Sequence, residues 1–284
     1  MPDHFHPVTE FRGGGAFNVQ PGQWTDDTAM ALCLADSLIR RRGFDALDQM
    51  NRYLMWYREG YLSSAGVCFD IGSTTRESLE TFKRTGEPYS GPTTEGTAGN
   101  GCLMRLAPIP MFFVRDPQQA VEKSALSART THGAATCLDA CRLFASLIVR
   151  ALNGESKEEL LAPKRWVHGS PLCPEIQVIA DGSYQRKEPP EIRGSGYVVE
   201  SLEAALWAFR KGNSFVECVR AAANLGYDTD TTAAICGQLA GAHYGESAIP
   251  SAWLEKLHWT GKIRLMADQL YSLAMAEAPP QTVH

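Results

Sequence analysis

Two short acidic stretches at opposite ends of the chain, Trp24-Thr25-Asp26-Asp27-Thr28 and Asp228-Thr229-Asp230-Thr231-Thr232, limit most what it can fold into. Each packs two carboxylates and at least two hydroxyls into five residues. Such an all-oxygen set suits a hard divalent cation such as Mg²⁺ or Mn²⁺. Zinc is disfavoured, because neither stretch holds a His or a Cys. Both stretches also stand at the head of a helical pattern. After Asp27 the apolar residues Met30, Leu34 and Leu38 recur every four positions, with Ala31 and Ile39 beside them, which predicts an amphipathic helix of about four turns with Thr25 or Asp26 near its N-cap. After Asp230 a second helix runs through Ala242, and its small residues Ala233, Gly237 and Gly241 form a stripe at four-residue spacing. Glycine costs a helix roughly 1 kcal/mol against alanine, so the stripe predicts a face approached by another backbone, for which the first acidic helix is the candidate. If the two helix starts meet, four carboxylates come together, and that charge density repels itself unless cations are bound. The competing explanation for either stretch alone is capping, which is what an Asp or Thr at a helix start usually does. A cap needs one side-chain oxygen, whereas each stretch supplies several, so the pair favours a two-cation site.

The rest of the composition narrows the class. A chain of 284 residues with 44% hydrophobic content can bury a substantial core. A net charge of −5 and a pI near 5.8 argue against nucleic-acid or membrane-surface binding through a broad basic face. Met1 to Phe17 is polar and Gly-rich, and no apolar run approaches the length of a membrane span. These features predict a soluble, cytoplasmic protein. The eight cysteines are scattered and form no CxxC pair, which predicts small buried hydrophobes rather than disulfides or ligands.

Further helices are predicted at Phe44 to Tyr57, Thr74 to Arg84, Pro117 to Thr130, Ala135 to Leu152, Glu200 to Lys211, Ser214 to Asn224 and Ile263 to Ala276, with no convincing strand alternation anywhere. The glycines concentrate in Gly13 to Gly22, Gly91 to Gly101 and Gly194 to Gly196, three candidate ligand-contacting loops. Ala162 to Gly196 carries five prolines without a shift in composition, so it predicts a long surface loop inside one domain that spans residues 1–284. The tail from Ala276 to His284, with Pro279 and Pro280, is expected to fray. In the middle glycine loop, Gly96-Thr97-Ala98-Gly99-Asn100-Gly101 could present backbone N–H groups to a phosphate. The spacing is equally that of a tight helix-connecting turn, and neither a Walker loop nor a dinucleotide fingerprint is present.

Several stretches, in order, resemble the ADP-ribosylglycohydrolase family. They are Pro21-Gly-Gln-Trp-Thr-Asp-Asp-Thr-Ala-Met30, Phe69-Asp-Ile-Gly72, Gly99-Asn-Gly-Cys-Leu-Met-Arg105, Thr131-His-Gly133, Gly194-Ser-Gly-Tyr197 and Asn224-Leu-Gly-Tyr-Asp-Thr-Asp-Thr231. The resemblance implies a compact, orthogonal multi-helix all-α domain with a binuclear centre of two Mg²⁺ or Mn²⁺ ions, and cleavage of ADP-ribose from a modified acceptor. It implies Thr25, Asp26 and Asp27 as ligands from one side and Asp228, Asp230 and Thr231 from the other, with Asp228 needed for both binding and chemistry. It assigns the diphosphate to Gly96, Thr97, Gly99, Asn100 and Gly101, places Asp70 beside the reacting ribose as a catalytic carboxylate, and sets His132 and Tyr197 along the cleft. Turn-bending for Asp70, a core role for His132 and simple packing for Tyr197 are the structural alternatives.

Two departures stand out. Family members usually start with a helix carrying Gly-Asp-Ala-x-Gly and a glutamate that reaches the metals, and Pro7-Val-Thr-Glu-Phe11 resembles the segment just before the first metal motif instead; Glu10 is a poor substitute. Tyr227 stands where an acidic residue or glycine is more usual. The expected substrate is an ADP-ribosylated protein, through an N-glycosidic link to arginine, or a small-molecule ADP-ribose conjugate; a nucleic acid enters only as a modified acceptor. The alternatives are a catalytically weak ADP-ribose binder or crystallin-like relative, and a two-metal phosphohydrolase, which the absence of a His-Asp dipeptide opposes.

Overall fold

The structure is a computed structural model and describes residues 7–163 and 168–276. Among these residues the chain forms α1 (Asp26–Arg41), α2 (Ala46–Glu59), α3 (Ser73–Thr85), α4 (Pro108–Phe112), α5 (Pro117–Arg129), α6 (Ala135–Leu152) and α7 (Lys157–Leu161). Then follow α8 (Pro174–Ala180), α9 (Val198–Lys211), α10 (Phe215–Ala223), α11 (Thr229–Tyr244), α12 (Ser251–Lys256) and α13 (Thr260–Ala276). The described residues contain no β-strand beyond two isolated bridges, Gly14 with Val19 and Gly99 with Tyr197. The expected all-α single domain is therefore what the chain adopts. No helix among the described residues is long and apolar enough to cross a membrane.

Local chemistry sets the helix limits. Asp45 and Asp116 accept the N–H of Asp48 and Gln119, which starts α2 and α5, and Pro117 occupies the first turn of α5 where its missing donor does no harm. Gly60 and Gly86 stop α2 and α3 at left-handed φ of 69° and 72°. Helix α6 buries 12 of its 18 residues and packs against α4, α5, α9 and α11, with Asp139, Arg142 and Arg150 kept out of the buried set. Asp36 of α1 meets Arg52 of α2 and also accepts from Tyr61 Oη at 2.7 Å. All eight cysteines are free, and six of them are buried.

Two sequence expectations are corrected. The Ala162 to Gly196 stretch contains α8 and a 3₁₀ turn at Ser183–Gln185. Pro174 starts α8 at N1 and Ile176 and Ile179 bury its inner face, a helix too short for periodicity to reveal. The stripe on α11 does not bring α1 close. A Cβ on Gly237 would meet only Val219 at 3.8 Å, and one on Gly241 would meet nothing. Instead these glycines line an apolar cavity of about 480 Å³ with Met111, Ile148, Leu254 and Ile263, while α11 packs chiefly on α9 and α10. Residues 164–167 of the proline-rich stretch, and the tail predicted to fray from residue 277 onward, lie outside the described residues.

Gln238 ties α11 to the segment that follows the glycine loop. Its Nε2 donates to the carbonyls of Leu103 and Met104 at 3.0 and 2.8 Å, and its Oε1 accepts from Ala107 N at 2.7 Å. Replacing Gln238 by Leu leaves Ala107 N–H and the Met104 carbonyl without a partner, while Leu103 O keeps its bond from Leu106 N at 3.2 Å. The Gln238→Leu variant is expected to lose about 2–3 kcal/mol of stability, read from urea denaturation; a loss below about 0.5 kcal/mol would show that this anchor is dispensable.

Candidate functional site

The N-termini of α1 and α11 carry the two acidic stretches, and neither uses its N-cap side chain for capping. Thr25 and Asp228 are the N-cap residues, and neither accepts a helix N–H through its side chain. Thr25 Oγ1 donates instead to Asp27 Oδ2 at 2.7 Å and stands 3.3 Å from Asp230 Oδ2, linking the two helix starts. The capping explanation of both stretches therefore gives way to a shared side-chain cluster.

Three loops complete the surroundings. Asn100 N donates to Gly196 O at 3.0 Å and Val198 N to Ala98 O at 3.0 Å, so the middle glycine loop is laced to the segment before α9. That segment in turn accepts Asp228 N through Gly194 O at 2.8 Å. The side chain of Asn100 is the hub: Nδ2 donates to Asp228 Oδ2 at 2.8 Å and to Ser201 Oγ at 2.9 Å. From the other side Asp70 enters at the loop before α3, with a left-handed φ of 58° that Asp tolerates better than most residues.

These elements enclose a cavity of about 350 Å³ lined by Asp26, Asp70, Gly99, Asn100, Gly101, His132, Asp228, Asp230 and Thr231. Thr25 and Asp27 stand behind that wall, Asp27 fully buried. Gly96 and Thr97 lie outside the cavity, because Thr97 uses its polar groups in its own turn: Oγ1 donates to Thr94 O at 2.7 Å and its carbonyl accepts from Gly99 N. Tyr197 is also outside, half exposed beside Gly99, and Glu10 is exposed away from the cavity. Gly196, from the third glycine loop, lines the cavity as well, with Gly72 and Met104 of the quoted stretches; sequence reasoning did not single out Ser73, Thr74 and Thr75, which line it too. The signal available was the run of small hydroxyl residues directly after the Phe69-Asp-Ile-Gly72 stretch, at the start of α3.

Charge is one-sided here. No Lys or Arg lines the cavity. Burial, then repulsion from Asp27, Asp70 and Asp230, pushes Asp26 up to about 9. Asp27 rises to about 7 through burial and Asp230, and Asp70 to about 6 through burial, Asp230 and Asp228. Asp228 is raised by burial, with the Asn100 hydrogen bond in opposition. His132 is buried and pushed down to about 4, chiefly by burial, so it is neutral at pH 7. Among the described residues no three His, Cys, Asp or Glu side chains already form a metal-ligating group. The donors nonetheless suit a hard cation: Asp27 Oδ1 is buried without a hydrogen-bond partner, and every neighbouring donor atom of the cluster is a carboxylate or hydroxyl oxygen.

An all-α frame that holds carboxylates over a glycine-walled cavity has the make-up of a glycosyl-hydrolysing centre, where carboxylates handle protons and developing positive charge. The chain matches the ADP-ribosylglycohydrolase family over residues 2–280 and belongs to that family of hydrolases. It is 42% identical over 274 residues to the ADP-ribosylarginine hydrolase Tri1 of Pseudomonas putida (strain GB-1), covering 96% of this chain and 73% of that protein. It is 31% identical to the ADP-ribosyl-[dinitrogen reductase] glycohydrolase of Rhodospirillum rubrum, over 92% of this chain and 83% of that one. A solved ADP-ribosylglycohydrolase-related protein complex contains a chain that superposes with a TM-score of 0.84 at 45% identity, covering 96% of this chain and 89% of that one.

The raised carboxylates set a stability signature. A carboxyl whose folded pKa exceeds its unfolded value of 3.8 leaves the fold unpenalised below that value and destabilises it increasingly as pH rises toward the folded pKa. In chelator, Asp26→Asn removes one such charge. Its advantage over the wild type is expected to be absent below about pH 4 and to grow toward pH 9, reaching on the order of 2 kcal/mol. Melting temperature against pH checks this, and a variant less stable than the wild type at pH 8 would contradict it.

Proposed function

We propose that this chain is a divalent-cation-dependent hydrolase that removes ADP-ribose from ADP-ribosylated arginine. The observation that carries the proposal is the meeting of the α1 and α11 starts, whose side-chain oxygens face each other instead of capping their helices. Thr25, Asp26 and Asp27, with Asp228, Asp230 and Thr231, would hold two Mg²⁺ or Mn²⁺ ions, which supply Lewis acidity and offset the clustered negative charge. Arginine as acceptor is supported by the relative named an ADP-ribosylarginine hydrolase. It also suits the electrostatics, because a guanidinium is a cationic group entering a cavity walled by carboxylates and by no Lys or Arg.

The chain's own groups divide the work. Gly99 and Gly101, without Cβ atoms, let the ligand approach the loop backbone. Asn100 holds Asp228 by its Nδ2 and keeps that carboxylate turned into the cavity. Asp70, half-buried and ionised at neutral pH, is placed to take a proton from the attacking water or to stabilise the positive charge that builds on the sugar as the C–N bond breaks.

The test is release of ADP-ribose from an ADP-ribosyl-arginine peptide by the purified chain, with Mg²⁺ or Mn²⁺ and with chelator. Turnover is expected only with the cation. Asp70→Asn should lower kcat by about 10²-fold or more while ADP-ribose still binds, and Asp228→Asn should lose both binding and turnover. Turnover that survives chelation, or an Asp70→Asn variant of full activity, would overturn the proposal. ADP-ribose binding without any turnover would mark a binder rather than a hydrolase.

A further inference from the structure

Arg105 lies under the glycine wall at 1% exposure, and no carboxylate pairs with it among the described residues. Its guanidinium stacks on Tyr53 at 4.6 Å, and its one short hydrogen bond runs from Nη2 to Thr131 Oγ1 at 2.6 Å. Thr131 Oγ1 in turn lies 2.8 Å from His132 Nδ1. The direction of this chain follows from the donor inventory. A guanidinium only donates and keeps its protons at any ordinary pH, so Thr131 Oγ1 accepts from it. Nδ1 is the one acceptor within hydrogen-bond distance of Oγ1 among the described residues, so the single hydroxyl hydrogen, pointing away from the cation, donates to it. A ring nitrogen that accepts carries no hydrogen, so the proton of the neutral imidazole sits on Nε2.

That nitrogen faces the ligand side. A Cβ on Gly99 or on Gly101 would come within 3.3 Å of His132 Nε2, and His132 lines the cavity with both glycines. The segment is also fixed in place. His132 N donates to Ala128 O at 2.8 Å, and Thr131 O accepts from Ser78 Oγ of α3 at 2.7 Å.

We propose that Arg105 acts through Thr131 as a positioning residue that locks His132 in the Nε2–H tautomer, so that it presents a neutral hydrogen-bond donor to an oxyanion of the ligand at the gap between Gly99 and Gly101. The buried cation never touches the ligand. The identity of that oxyanion as the diphosphate of ADP-ribose rests on the proposed function, whereas the tautomer does not.

Long-range ¹⁵N–¹H correlation spectra of the ligand-free wild type at pH 7 read the tautomer directly. Nε2 is expected to show a protonated, pyrrole-type signal and Nδ1 a pyridine-type one. Thr131→Val removes the hydroxyl at nearly equal size; it should mix the two tautomers and weaken ADP-ribose binding, measured calorimetrically with Mg²⁺, by about tenfold or more. Thr131→Ser should restore both readouts, which a purely structural role would not require. A wild-type His132 protonated on Nδ1, or a Thr131→Val variant with tautomer and affinity unchanged, would overturn the proposal. If the wild type binds no ADP-ribose while the tautomer is as stated, the proposed function falls together with the oxyanion assignment, and the relay stands.

Discussion

Several carboxylates crowd into one cavity with no basic side chain to neutralise them, and the rest of the site is arranged around that repulsion. Asp26, Asp27, Asp70 and Asp228 are all held above the ordinary carboxylate range, with burial the first cause in each case and neighbouring carboxylates adding to it. A fold selected for stability alone would place apolar or paired groups there. The frame holds the charges in place through neutral donors: Thr25 bridges the two helix starts, and Asn100 grips one oxygen of Asp228. An arrangement destabilised by its own charge is stabilised by whatever cation or cationic group binds it, which couples the fold to its ligands.

On the proposed function, the glycine loop lets neutral groups meet an anion in an acidic protein. A diphosphate entering a cavity lined by aspartates gains nothing from bulk electrostatics, since the chain carries a net charge of −5. On the proposed function, recognition would fall to cations beside the aspartates and to hydrogen-bond donors without charge. The walls supply the second kind, in the hydroxyls of Ser73, Thr74 and Thr75, in glycine backbone and in His132. Placing Arg105 one layer deeper keeps its charge away from the metal-suited cluster while its proton donors still order the layer above.

How far the sequence revealed this differs by element. The long helices were legible because a periodic apolar face over three or more turns dominates local preference; Ala135 to Leu152 coincides with α6, and Pro117 marks the start of α5. The short α4, α7, α8 and α12 were not, because one turn of helix carries no period. The acidic pair was legible from chemistry, since a surplus of side-chain oxygens at both helix starts exceeds any capping need. The stripe Ala233, Gly237 and Gly241 was misassigned, because small residues report that space exists beside a helix and not which element lies there. The start of α3 escaped notice because Ser73, Thr74 and Thr75 look like an ordinary polar helix start, and only tertiary packing turns them toward Gly99 and Gly101.

Asp70 is the residue for which sequence and structure argue most closely together. Its stretch, Phe69-Asp-Ile-Gly72, suggested either a bent turn or a catalytic carboxylate, and the structure shows the bend and sets the residue in the cavity wall, where the proposed role requires it. The left-handed backbone is the bend, and it delivers the carboxylate into the cavity from the side opposite α11. A residue on a helix could not reach that side without moving the helix itself, whereas a loop in a restricted conformation sets one side chain without disturbing the frame. The aspartates on α1 and α11 belong to rigid elements fixed by the core, while Asp70 belongs to a turn, so its carboxylate is positioned independently of theirs.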